Sequence, residues 1–138
     1  MSRRVVFWLP MMGISVVMAG NWNVPMDSRN LRNPVARTDA TNRHASKVWT
    51  DHCQQCHGPV GAGDGSEQRV SYDLRAIVVK LTDGELYWKI THGVGKMPSF
   101  AGPLTDEERW LVINHLRNLT IAGANVARGV ASTSVSRR

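Results

Sequence analysis

Two cysteines separated by two residues, with a histidine directly after the second, narrow the options for this chain more than any other stretch: Cys53-Gln54-Gln55-Cys56-His57. Both thiols can add across the vinyl groups of one porphyrin, and His57 is then held beneath its iron. A bare pair of this spacing also serves zinc sites and thiol-disulfide enzymes. The adjoining histidine and the lack of any other cysteine remove most of those competitors, and no βαβ pattern supports a thiol-disulfide enzyme. The pentad therefore reads as the attachment site of one haem c. With both thiols committed to thioethers, no disulfide framework remains.

The region that can fold around this site is only about 80 residues, a size at which a protein core alone is marginal. A large apolar disc bonded at two points and ligated through its metal acts as the staple for such a domain, as metal sites do elsewhere. The formal charge of +6 suggests a nucleic-acid or anionic-membrane partner until its distribution is examined. Most of it lies at the ends, in Arg3, Arg4, Arg29, Arg32, Arg37, Arg128, Arg137 and Arg138. Between Asp39 and Leu119 acids and bases nearly balance, and no basic stripe is interleaved with aromatics. No nucleic-acid partner is expected.

Residues 1 to 20 read as an export signal: Arg3 and Arg4 give a positive start, and Val5 to Ala19 an uncharged apolar run ending in small residues. Val17 and Ala19 suit cleavage after Ala19. Left uncleaved, the same run is an N-terminal membrane anchor, although it is shorter than the ~20 residues that span a bilayer comfortably. Either way the expected location is periplasmic, soluble or held to the outer face of the inner membrane. Residues 21 to 38 are polar, contain Pro25 and Pro34, and keep no helical or strand period. They read as an extended leader on the domain surface, pinned by Trp22 and Leu31, with a partner-docking arm as the alternative.

The domain is expected over 39–120. Thr38 or Asp39 can cap a first helix reaching about Cys53, with Ala45, Val48, Trp49 and His52 on one face. The glycine-rich stretch Gly58 to Gly65 resembles a phosphate loop only superficially, having no Lys-Ser or Lys-Thr after it. Its glycines suit a tight turn beneath a flat cofactor, with a loop carbonyl receiving the His57 ring N–H. Leu74 to Leu81 is apolar, and periodicity does not decide between a short helix and a packed segment. Thr82-Asp83-Gly84-Glu85 is a capping box that starts a helix from Asp83 to about Thr91, ended by Gly93. Thr105-Asp106-Glu107-Glu108 starts the last helix, which should end near Asn118 or Leu119. Trp110, Ile113 and Leu116, or Leu111 and Leu119, can line its inner face. Residues 121–138, rich in Ala, Gly, Ser and Arg, read as a disordered tail.

The sixth iron ligand separates a carrier from a catalyst. Met97 follows the flexible-looking loop Gly93-Val94-Gly95-Lys96 and precedes Pro98, which biases it to extended backbone and lets its thioether project. It reads as the distal ligand, against the alternative of ordinary core filler. A sulfur ligand favours ferrous iron and closes the coordination site. His92 is the alternative sixth ligand. His52 points to solvent, and His44 and His115 read as helix-surface residues. Tyr72, Arg75 and Trp88 are candidates for propionate contacts, with solvated or core roles equally open.

Taken together, Cys53-Gln54-Gln55-Cys56-His57-Gly58, Gly61-Ala62-Gly63-Asp64-Gly65, Leu81-Thr82-Asp83-Gly84-Glu85-Leu86, Met97-Pro98 and the Trp110-containing last helix stand in the order of the class I c-type cytochromes, which the chain resembles from about Asp39 to Leu119. The resemblance implies an all-α cytochrome c fold: three main helices around one covalent haem, with the first and last crossing near Ala45, Trp49 and Trp110. It implies thioethers at Cys53 and Cys56, His57 as proximal and Met97 as distal ligand. Ala45 stands where many relatives have glycine, and Ser66 to Tyr72 lacks the prolines common there. The function expected is single-electron transfer between a redox donor and acceptor, with a membrane respiratory or dehydrogenase complex among the candidate partners. The alternatives are a haem-bearing subunit of a larger oxidoreductase and, from another class, a haem peroxidase.

Overall fold

The structure, a computed structural model, describes residues 23–66 and 72–135, with side chains through Gly123. The expected signal or anchor and Trp22 fall outside the described residues. Six helices follow in order: α1 (Met26–Arg29), α2 (Asp39–His52), α3 (Gln54–His57), α4 (Leu74–Val78), α5 (Asp83–His92) and α6 (Asp106–Val135). Among the described residues there is no strand, and no helix is long and apolar enough to cross a membrane.

The three main helices start where side chains satisfy their free N–H groups. At α2 the Thr41 N–H donates to Thr38 Oγ1 at 3.2 Å, and the Thr38 N–H to Thr41 Oγ1 at 2.8 Å. At α5 the Glu85 N–H donates to Thr82 Oγ1 (3.1 Å) and the Thr82 N–H to Glu85 Oε2 (2.8 Å). Thr105 and Glu108 repeat the arrangement at α6 with 2.8 and 3.2 Å. Each reciprocal pair meets two otherwise orphaned donors. The segment after the glycine loop resolves as the short helix α4, capped by Asp73. Glycine ends α5, because Gly93 takes φ +79°, where a side chain would be strained.

α2 packs most extensively on α6, and α4 and α5 lie against α6 as well. Ala45, Val48 and Trp49 of α2 are buried, while His52 is exposed. Trp49 stacks on His115 of α6 with ring centroids 5.1 Å apart, and Tyr87 of α5 stacks on Trp110 at 4.1 Å. Aromatic pairs of this kind contribute about 0.5–1.5 kcal/mol beyond their burial. His115 is thus a half-buried crossing residue rather than a surface one. Arg117 locks the α4–α5 corner onto α6 through Asp83 Oδ1 (2.8 Å) and the Leu81 carbonyl (2.6 Å).

On α6 every residue from Arg109 to Asn114 is buried, a wider band than one apolar stripe. The reason is the leader, which covers the side of α6 that the other helices leave open. Asn33 Nδ2 donates to the Trp110 carbonyl and to Asn114 Oδ1, both at 3.0 Å, and Asn114 Nδ2 returns a bond to the Val35 carbonyl at 3.0 Å. The leader is not wholly extended: Met26–Arg29 form one helical turn, pressed on α5. Its apolar pin is Val24, 4% exposed, whereas Leu31 is 44% exposed. A side chain at Gly84 would overlap the Ser28 carbonyl, so the absence of one lets the two backbones meet.

α6 does not stop near Asn118 or Leu119, where its apolar face ends. Its backbone stays helical to Val135, across residues whose composition predicts a disordered tail. Ala122, Ala124, Ala127 and Ala131 are strong helix formers, and no proline interrupts them.

Gly84→Ala should push the leader off α5 and lower the stability of the folded protein by about 1–3 kcal/mol, with faster proteolysis before Thr38. A thermal melt and cleavage pattern identical to the parent would show that the leader does not pack there. A second expectation concerns acid. Burial holds the His115 imidazole below its ordinary value of 6.5, so the unfolded chain takes up a proton there more readily than the folded one. The stability that neutral His115 contributes is complete above 6.5 and is lost as pH falls through that value toward the lower folded one. His115→Phe should flatten the stability profile between pH 7 and 5, read by denaturant melts across that range.

Candidate haem site

Cys53 closes α2, its N–H bonded to the Trp49 carbonyl at 2.9 Å, and the chain turns at once into α3. His57 N–H reaches back to the Cys53 carbonyl at 2.9 Å and Gly58 N–H to Gln54 at 2.8 Å, so the pentad is one compact helical turn. That turn sets the two sulfurs differently: Cys53 is 8% exposed and belongs to the apolar core, whereas Cys56 faces outward.

The glycine-rich loop then folds back under the turn. Gly63 N–H donates to the His57 carbonyl at 3.0 Å, and Leu74 N–H to the Gly61 carbonyl at 2.8 Å, which hands the chain on to α4. At Gly65 a side chain would collide with the Gln55 and Cys56 backbone, so glycine permits the close return. Trp49 Nε1 donates to the Gly58 carbonyl at 3.2 Å. The indole that packs the helix crossing therefore also fixes the residue after His57, whose ring lies 6.1 Å from it.

The electrostatics keep the site neutral. Burial pushes the Cys53 thiol up to about 12, with the Cys56 thiol adding to the effect, so no thiolate forms there near neutral pH. A nucleophilic redox cysteine needs the opposite shift, so Cys53 is not suited to that role. A thioether carries no ionisable proton and suits the apolar setting. Burial also holds the His57 imidazole below its ordinary range, leaving a neutral ring, the form that ligates metals. Among the described residues no cluster of three or more His, Cys, Asp or Glu side chains could hold a bare metal ion. Two thiols and a neutral imidazole on one turn are the donors that a porphyrin attached at two sulfurs would need.

Met97 is half-buried and packs against the same apolar cluster as Cys53, together with Leu86, Ile90, Leu104 and Phe100. The loop before it is not loose. Val94 and Met97 exchange both backbone hydrogen bonds at 2.9 Å, making a two-residue turn over Gly95 and Lys96. Ser99 Oγ donates to the Thr91 carbonyl at 2.6 Å and Phe100 N–H to the Ile90 carbonyl at 3.1 Å.

The other candidates are placed elsewhere. His92 is exposed, stacked on Trp88 at 4.4 Å, with Nδ1 2.8 Å from the Trp88 carbonyl. Tyr72 is 70% exposed, and Arg75 pairs with Asp73 at 2.8 Å. Three contributors escape a pattern reading: the Trp49 bond to Gly58, the His115 stack, and Arg109, which is buried at 5% exposure. Asn114 carried a usable signal, since it lies four residues after Trp110 and three after Leu111, on the inner face.

Comparison with solved structures finds a chain of the reducing HAO-like protein complex of Kuenenia stuttgartiensis at TM-score 0.55 and 26% identity, covering 64% of this chain and 49% of that one. This chain thus spans about half the length of that relative. Comparison with curated proteins finds no match. The helical architecture is that of the cytochrome c fold, and a c-type cytochrome domain implies covalently bound haem c and electron transfer. The family model described as cytochrome c oxidase, cbb3-type, subunit III matches residues 40–116, and on that match the chain belongs to this family of c-type cytochrome domains.

Proposed function

We propose that this protein carries single electrons between redox partners outside the cytoplasm, holding one haem c through Cys53 and Cys56 with His57 as proximal and Met97 as distal iron ligand. The observation that supports it most is the placement of Cys53 and Met97 in one apolar cluster, with the neutral His57 beside Trp49 of that cluster. When bound, the haem supplies a one-electron couple, its iron passing between ferric and ferrous. The chain's own work would be to hold the two sulfurs and His57 on the turn beside the α2–α6 crossing, to present Met97 from the turn after α5, and to exclude water from the buried side. Met97, as a soft thioether donor, favours the reduced metal and raises the potential. With His57 and Met97 both committed to the iron, no open position would be left for a substrate, so the protein would serve as a carrier and not as a peroxidase. Export through the segment 1–20 places it in the periplasm, free or tethered to the outer face of the inner membrane.

A second reading is favoured by the comparisons: the same domain acting as the electron-entry or exit subunit of a larger oxidoreductase. The matching family is named for an oxidase subunit, and the structural relative comes from a protein complex. Stoichiometric partner chains that copurify with the exported protein would favour this reading over a free carrier.

Met97→Ala should abolish the far-red absorption of the ferric protein and lower its reduction potential, while the covalent pigment and α-helical circular dichroism persist. It should also let carbon monoxide bind readily to the reduced protein, which the parent should resist. An unchanged far-red band in Met97→Ala, or ready carbon monoxide binding by the parent, would sink the distal-ligand assignment.

A further inference from the structure

We propose that Arg109 is the positioning residue for the distal ligand: from within α6 its guanidinium fixes the segment that follows Met97, and so sets how firmly the Met97 sulfur is held against the metal. This rests on Met97 being that ligand. The segment from Met97 to Leu104 has no regular secondary structure of its own, so its path is determined by bonds to its neighbours. Arg109 supplies most of them after Phe100. Its Nη1 donates to the carbonyls of Phe100 (3.2 Å), Ala101 (3.3 Å) and Leu104 (2.6 Å). Its Nη2 donates to the Tyr87 hydroxyl at 3.1 Å and to the Asp106 carboxylate.

The placement of the group argues for more than a helix staple. Arg109 is 5% exposed, and burying a guanidinium is unfavourable unless its donors are met; both Nη atoms are met, while the buried Nε has no partner among the described residues. Its carboxylate partner is exposed, so the inner side of the charge faces backbone carbonyls instead. The guanidinium carbon lies 5.3 Å from the Tyr87 ring centre, and that ring stacks on Trp110. One rigid fork therefore joins α5, α6 and the Met97 segment. Lysine carries one nitrogen on a flexible stem and cannot meet the three carbonyls and, at the same time, the Tyr87 hydroxyl and Asp106 carboxylate that the second guanidinium nitrogen reaches.

The test uses the haem-loaded protein with imidazole as a competing ligand for ferric iron. Arg109→Lys and Arg109→Gln should weaken the far-red band near neutral pH, and should raise imidazole affinity about tenfold or more, the loss expected from charge-assisted hydrogen bonds. Tyr87→Phe, which removes only one neutral bond to Arg109, should raise it about two- to threefold. An arginine variant that melts earlier but keeps the parent band and imidazole affinity would show a purely structural role and overturn the proposal. If neither arginine variant accumulates with haem, Tyr87→Phe decides: unchanged imidazole affinity overturns the proposal. A parent protein with no far-red band would instead remove the Met97 reading on which the proposal stands.

Discussion

Trp49 at the crossing of α2 and α6 joins the fold to the site. Its ring is 2% exposed and packed on His115, so the two longest helices of the domain meet through it. Its one polar atom, which would be costly to bury unmet, is spent on the Gly58 carbonyl. The same side chain thereby fixes both the helix crossing and the turn that presents Cys53, Cys56 and His57. A shift at the crossing would move the attachment turn with it.

Around that crossing the small domain recruits what a core of this size lacks. The leader is one contribution: Asn33, Val35 and Arg37 converge on Asn114, which is 1% exposed and would otherwise be an unmet amide inside the fold. Arginines are another, with Arg117 and Arg109 each gathering backbone carbonyls that no helix satisfies. The covalent haem that a c-type cytochrome domain implies would be the third. Leader, arginines and cofactor each compensate for limited apolar area in a different way.

Local chemistry was readable in the sequence where a single turn of chain decides the outcome. The Thr82–Glu85 and Thr105–Glu108 boxes and Gly93 set helix ends through bonds within four residues, and the structure has them there. Spacing placed Ala45, Val48 and Trp49 on a face that is buried, although His52, at the same spacing, is exposed. What could not be read depends on distant parts of the chain. His115 looks like a surface residue until Trp49 is laid over it, and Arg109 is buried only because the Met97 segment wraps it. The full burial of α6 from Arg109 to Asn114 needs the leader, whose polar sequence shows no period. The loop before Met97 reads as flexible from its glycines, yet two backbone bonds close it into a turn.

The account rests on a porphyrin joined covalently to this polypeptide at Cys53 and Cys56. The most direct measurement is the intact mass of the exported protein after denaturation and acid-acetone washing, with peptide mapping of the modified residues. The account predicts retained pigment, a mass increase of one haem, and both cysteines modified within a single peptide containing His57. A colourless chain of unmodified mass, with two free thiols, would contradict it.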